Sequence, residues 1–288
     1  MAAVSSTADS FRAETPVYWD GKFKFKNLAA GSYQIAVFVP RLGEFRQTYS
    51  VGPATCDKKG RLKITVLIHP SRASKLYTPR ERFTVSAIRL SISGKARKEY
   101  AEALKKLRKS DDAEAVRHLR KAVELSPQFA AAWNTLGVIA YQRKQYGEAE
   151  AHFREAIRQD PELYEPIVNL GGVLLNLGRP EEALPLNLKA AEWRPRDALA
   201  NAQLGTNFLA LGKLSLALRH LKEAKRLDPG HFANPQLLLS EIYLRQGDAD
   251  AAAAEVDNFL RYHPGSLQAE PLRALIRKLR EQPGAARP

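Results

Sequence analysis

Three histidines share one slot of a repeating period: His118 and His152 stand one period apart, and His220 lies two periods beyond His152. A metal site would have to gather their nitrogens within about 4 Å of one ion. Neighbouring helices stand roughly 8–10 Å apart. The three imidazoles therefore form a row along an array rather than a ligand set, and they read as an echo of the repeat. The carboxylate pairs Asp111-Asp112 and Glu181-Glu182 fall in turns. There they suit helix N-termini, where the backbone dipole favours negative charge. Cys56 is the single cysteine, which excludes an internal disulfide and an all-cysteine metal site. The chain has no phosphate-binding G-x-x-x-x-G-K-[ST], no G-x-S-x-G, no H-E-x-x-H and no C-x-x-C. These residues predict no enzyme, no cofactor and no metal.

What positions these residues is an internal repeat. Pro127, Pro161, Pro195 and Pro229 recur at a constant step of 34, and Pro264 follows after 35. Leu136-Gly137, Leu170-Gly171 and Leu204-Gly205 keep the step of 34, as do Ala115, Ala149, Ala183 and Ala217, and Ala122, Ala156, Ala190 and Ala224. Such a period is the signature of a stack of supersecondary units. A glycine lacks a Cβ, so a neighbouring helix can come close at Gly137, Gly171 and Gly205. Ala149, Phe153 and Ala156 span two helical turns and share one face. Each proline ends a helix, because it has no N–H to donate and biases the residue before it out of the helical region.

These residues resemble the tetratricopeptide family, whose pattern is W-x2-L-G-x2-Y, then A-x3-F-x2-A, then P. The second repeat matches best, with Trp133, Leu136, Gly137, Ala149, Phe153, Ala156 and Pro161. The first repeat departs with Glu102-Ala103, the third with Asn187 and Pro185, the fifth with Leu239-Ser240. The repeats fall at about 96–129, 130–163, 164–197, 198–232 and 233–266, with a cap over 267–282. In the cap, Leu272, Leu275, Ile276 and Leu279 make one apolar stripe, and Arg273, Arg277, Lys278 and Arg280 fall largely opposite.

Before residue 94 the period becomes alternating. Lys22, Lys24 and Lys26 alternate with Phe23 and Phe25, predicting a strand that buries the rings. Tyr33, Ile35, Val37 and Val39 alternate, as do Leu62, Ile64, Val66 and Ile68. Phe45 to Val51 and Phe83 to Ile88 also read as strands, with turn residues at Asp20-Gly21, Gly31-Ser32, Pro40 to Gly43 and Lys59-Gly60. The run from Asp20 to Tyr33 resembles the carboxypeptidase regulatory-like domain, a transthyretin-like β sandwich whose role is structural or adhesive. In that family another β hairpin usually comes before this run. Little chain precedes Asp20, so the domain is pared down or its true start lies upstream.

The fold class expected is mainly α: an α-solenoid of about five tetratricopeptide helix pairs plus a capping helix over 94–282, preceded by a small antiparallel β-sandwich domain over 1–93. The charge is uneven. Residues 1–94 hold 15 Lys+Arg and 6 Asp+Glu, a net of +9, out of +14 for the chain. A basic domain can bind an anionic polymer such as nucleic acid, lipid headgroups or cell-envelope polysaccharide by counterion release. Nucleic acid is not the expected partner, because Lys and Phe at alternate positions face opposite ways and cannot form one stacking surface. No apolar run reaches the 18 or so residues of a membrane span. Met1 to Ser10 shows no signal peptide, which predicts a cytoplasmic protein as written, or a cell-envelope or periplasmic one if translation starts upstream.

The resemblance implies that the first helix of each pair lines a concave groove. Its residues would be Asn134, Thr135, Val138, Tyr141 and Gln142 in the second repeat, Asn169 and Asn176 in the third, Gln203 and Thr206 in the fourth. Asn and Gln both donate and accept, so they can pair with the backbone of an extended peptide. Tyr100, Leu104 and Thr135 do not supply the Lys, Arg and Asn of the clamp that holds chaperone tails. The function expected is a non-catalytic scaffold for a protein partner, the alternative a basic adaptor for an anionic polymer. A homo-oligomer is compatible with either.

Overall fold

A computed structural model describes residues 2–6, 12–15, 23–39, 43–57, 60–62, 64 and 91–281. The fold is mainly α, with eleven helices among the described residues. The strands are β1 (Ala2–Ser6), β2 (Arg12–Thr15), β3 (Gly31–Val39) and β4 (Gly43–Val51). The helices are α1 (Gly94–Leu107), α2 (Asp112–Leu125), α3 (Ala130–Gln142), α4 (Tyr146–Gln159), α5 (Tyr164–Asn176), α6 (Pro180–Trp193), α7 (Ala198–Ala210), α8 (Leu214–Leu227), α9 (Pro235–Arg245), α10 (Ala249–Tyr262) and α11 (Ala269–Glu281). The chain divides into two compact units. One comprises residues 1–25, 36–45 and 66–190, the other 26–35, 46–65 and 191–288.

The turns explain why the helices pair. Between the two helices of every pair one residue has positive φ: Ser110, Lys144, Gly178, Gly212 and Gly247, at φ 56, 59, 70, 72 and 76. The next residue then donates its N–H back over the helix end. Asp111, Gln145, Arg179, Lys213 and Asp248 reach the carbonyls of Lys106, Ala140, Leu174, Phe208 and Tyr243. This left-handed closure satisfies carbonyls that a helix end leaves open. Glycine adopts it at no steric cost, whereas Ser110 and Lys144 adopt it with a Cβ. The turns between pairs use the opposite device. Ser126, Asp160, Asp228 and His263 each precede a proline and leave the helical region, at φ −152, −140, −145 and −126.

In the first compact unit the core is built from small residues that let helices approach: Ala96, Ala103, Ala115 and Ala122 are fully buried with Leu119. A Cβ on Gly137 would lie 2.6 Å from the Phe153 ring, and one on Gly171 would lie 2.0 Å from Asn187 Oδ1. In the second compact unit a Cβ on Gly205 would lie 2.6 Å from Leu221 Cγ. These are one contact repeated along the chain: each glycine of a first helix seats a side chain from the same slot of the second helix. An internal proline predicts a bend or a late helix start; Pro185 lies inside α6, which already starts at Pro180, so the late start does not occur.

Repeated polar contacts brace the turns. Trp133 Nε1–H donates to the Pro127 carbonyl at 2.8 Å, Asn201 to that of Pro195 at 2.9 Å, and Gln236 to that of Pro229 at 2.6 Å. This is how Asn201 and Gln236, almost wholly buried, replace the indole of the second repeat. The cap α11 seats Ile276 and Leu272 against Ala253 and Val256 of α10, while Arg273, Arg277 and Lys278 stay exposed.

The N-terminal expectations are corrected in part. The strands form one sheet in the order β2-β1-β3-β4, with β1 and β2 antiparallel and Ala2 opposite Thr15. The second facing sheet that a sandwich requires is not among the described residues. Tyr33, Ile35 and Val37 are buried along one face of β3, as alternation predicts, and β4 covers the run from Phe45 to Val51. Residues 23–29 are not a strand, although Phe23 and Phe25 are half-buried while Lys24 and Lys26 are exposed. Their rings meet edge to face at 6.0 Å. Alternation is a property of any extended chain, and here it occurs without a hydrogen-bonded partner strand. Leu62 and Ile64 are likewise not in a strand. Lys22, Val66, Ile68 and Phe83 to Ile88 lie outside the described residues.

Candidate functional site

The first helices carry polar side chains that meet across the repeat. In the first compact unit Asn169 Nδ2 donates to Asn134 Oδ1 at 3.0 Å, and Asn176 Nδ2 donates to the Tyr141 hydroxyl at 3.0 Å. The hydroxyls of Tyr100 and Thr135 lie 3.3 Å apart. The partners in each pair stand 35 positions apart, one more than the repeat. A residue thus meets not its own equivalent but the position one further on, because successive first helices are staggered as they pack. Tyr100 belongs to this ladder, a rung that the repeat pattern does not reveal. Its signal in the sequence is the step of 35 to Thr135, which a register of 34 hides.

These contacts consume part of the hydrogen-bonding capacity that the residues were expected to offer a ligand. Asn134 keeps its two N–H groups and Asn169 its carbonyl oxygen. Thr135 and Thr206 spend their hydroxyl protons on the carbonyls of Ala131 and Ala202, at 2.8 and 2.9 Å. Val138 is half-buried against the cluster around Ala140 and Leu170. Tyr141 packs on the Tyr146 ring at 5.6 Å, and burial pushes its phenol above the ordinary range. The amide oxygens of Gln142 in the first compact unit and Gln203 in the second are buried and meet no hydrogen-bond donor among the described residues. Seven of the nine predicted groove residues lie in the first compact unit. Gln203 and Thr206 lie in the second.

The histidines are accounted for locally. His118 Nδ1 lies 2.6 Å from Glu99, whose other oxygen takes Lys121 at 2.7 Å. Lys121, then His118, hold the Glu99 carboxyl below its usual range. His152 stacks beside Trp133 at 5.6 Å and His220 beside Phe208 at 5.7 Å. Burial lowers the pKa of both imidazoles. Among the described residues no group of three His, Cys, Asp or Glu side chains could hold a metal ion. No described helix is long and apolar enough to cross a membrane.

Known proteins carry the same array. Tetratricopeptide-repeat models match residues 100–163 and 140–204. Cellulose synthase operon protein C of Pseudomonas fluorescens (strain SBW25) is 29% identical over 154 residues. That match takes in 50% of this chain and 12% of the relative, so the chain spans a small part of the relative's length. Among solved structures, MamA (residue 41 to the end) of Desulfovibrio magneticus RS-1 superposes with a TM-score of 0.54 at 20% identity, over 62% of this chain and 99% of that one. YrrB, described as a TPR protein with an unusual peptide-binding site, superposes with a TM-score of 0.52 at 25% identity, over 66% and 100%. The period of 34 and the left-handed turn within every pair run through the helical part of the chain, which is similar to tetratricopeptide repeats over the residues those models match.

Proposed function

We propose that the chain is a non-catalytic scaffold whose first helices bind an extended segment of another protein. The observation that carries this reading is the polar ladder within the first compact unit, where Asn169 donates to Asn134 and Asn176 to Tyr141, with the Asn134 N–H groups and the Asn169 carbonyl oxygen left to a ligand. The backbone N–H of an extended ligand is the donor such amides suit, and it is blind to the ligand's side chains. The ladder of Asn134, Asn169, Tyr141 and Asn176 supports the reading, because its bonds fix the rotamers of the groups that remain open. The peptide-binding site named for YrrB belongs to that protein and supports the reading by likeness of fold.

The test is a double variant, Asn134→Ala with Asn169→Ala, titrated calorimetrically against a partner recovered by affinity purification on the full chain. We expect affinity to fall about tenfold or more, with the helical circular dichroism unchanged. Unchanged affinity in a folded variant would remove the first helices from consideration.

A second reading is that residues 1–93 form a carboxypeptidase regulatory-like module that binds an anionic polymer. It is favoured by the exposure of Lys24 and Lys26 and the +9 of residues 1–94. Ionic strength separates the two readings. A polymer held by lysines loses affinity steeply between 50 and 200 mM salt, by about 10³-fold for six contacts, whereas an amide-lined site does not.

A further inference from the structure

In the second compact unit the turn between α8 and α9 holds β4. Asp228 is 1% exposed and Thr48 5%. The Thr48 N–H donates to both Asp228 carboxylate oxygens, at 3.0 and 2.9 Å, and the Thr48 hydroxyl donates to Oδ2 at 2.7 Å. Two positions on, a Cβ at Gly230 would lie 2.8 Å from the Thr48 carbonyl oxygen. The turn and the strand therefore touch backbone to backbone, at a spacing only glycine allows.

The same slot recurs in other repeats. Asp228 precedes Pro229 as Asp160 precedes Pro161 and Ser126 precedes Pro127. Asp160 accepts the N–H of Glu162 at 3.2 Å, within its own turn. Asp228 accepts from a strand 180 residues away. Ser126 provides a precedent. Its hydroxyl accepts the Ser93 N–H at 3.1 Å and donates to the Ser93 hydroxyl oxygen at 3.2 Å. Twice in the array, then, the side chain before the turn proline accepts the N–H of a hydroxyl-bearing residue and also bonds its hydroxyl group, and Asp228 is the one that accepts the O–H.

We propose that Asp228 and Gly230 form a docking site for an extended strand bearing Thr or Ser, and that β4 is its resident occupant. The carboxylate selects the hydroxyl, because an apolar side chain there would leave the buried Oδ2 with only its share of the Thr48 N–H. It rejects an acidic side chain by like charge. Gly230 admits the strand backbone, which a turn residue with a side chain would not. β4 closes the strand order of its sheet, so its outward N–H at Thr48 needs a partner, and Asp228 provides it. This site is separate from the first-helix ladder.

Hydrogen exchange on the full chain tests the proposal. In the wild type the amides of residues 46–51 exchange slowly. Thr48→Glu and Asp228→Ala each speed their exchange at least tenfold, with α7 to α10 unchanged, and Thr48→Ser keeps the protection. Emptied by Thr48→Glu, the chain then binds a labelled nonapeptide of the sequence Gly43 to Val51. The double variant Thr48→Glu with Asp228→Ala does not. Undiminished protection of residues 46–51 in Thr48→Glu overturns the proposal, as does equal peptide binding by the single and double variants. Should either variant lose helical circular dichroism, Thr48→Val removes the hydroxyl alone and is read by the same two measurements.

Discussion

Gly171 on α5 faces Asn187 on α6 so closely that a Cβ at 171 would lie 2.0 Å from the amide oxygen. The side chain it accommodates is polar and fully buried, where the neighbouring pairs use Phe153 and Leu221. Asn187 sits in a seat shaped by the absence of a side chain opposite. Gly171→Leu should therefore destabilise by about 1–3 kcal/mol through overpacking. Gly205→Leu, which confronts Leu221 from Cγ to its backbone nitrogen, should cost a similar amount. Urea unfolding monitored by circular dichroism measures both. A wild-type midpoint in either variant would remove close packing as the reason for these glycines.

Pro185 works against the helix that contains it. It cannot donate to the Glu181 carbonyl, and its ring crowds that group. Pro185→Ala should stabilise α6 by about 1–3 kcal/mol, visible as a higher urea midpoint with an unchanged slope. An unchanged or lower midpoint would mean that the ring supports packing worth as much as the bond it prevents.

The left-handed turn positions make a second prediction of increased stability. Lys144 occupies at φ 59 the slot that glycine fills at 178, 212 and 247. Lys144→Gly should raise stability by about 0.5–1 kcal/mol, the cost of holding a Cβ in that region less the extra entropy of glycine unfolded. Gly178→Ala, the reverse change, should lower it. Thermal melts of the two variants should move in opposite directions.

Mild acid should weaken the fold. Burial lowers the pKa of His231, His263, His152 and His220. A base whose folded pKa lies below its unfolded value of about 6.5 takes up its proton first in the unfolded chain. Stability from these groups is thus full above about pH 7.5 and falls as the pH drops through 6.5. His231 Nδ1 accepts the Ala233 N–H at 3.2 Å, so a proton there sets two donors face to face. The melting temperature should drop between pH 7.5 and 5.0, and His231→Gln should flatten that dependence. An equally steep profile in His231→Gln would move the effect to the other three.

The helix pairs were legible because a step of 34 fixes prolines, glycines and alanines at once, and no other architecture needs all three in phase. The β elements were less so. β3 could be read because Tyr33, Ile35 and Val37 bury one face. The Lys22 to Lys26 run shows the same alternation, yet residues 23–29 form no ladder, since pairing depends on a neighbour that a local pattern does not reveal. The candidate site was half-legible. The repeat placed Asn134, Asn169, Tyr141 and Asn176 on equivalent helices, but not the stagger that joins them at a step of 35. Nothing local marks Thr48 and Asp228 as partners.

That last contact bears on how the protein is made. Residue 228 is synthesised 180 residues after Thr48. At about 5–20 residues per second, the strand waits roughly 10 to 40 s for the turn that completes its bonding. Helix pairs closed by near neighbours can form as they emerge, whereas the outer N–H of β4 stays open to water, to chaperones or to another nascent strand until most of the array exists. Translation order therefore makes β4 a late-settling element, and its exposure in that interval is where misassembly of this chain would begin.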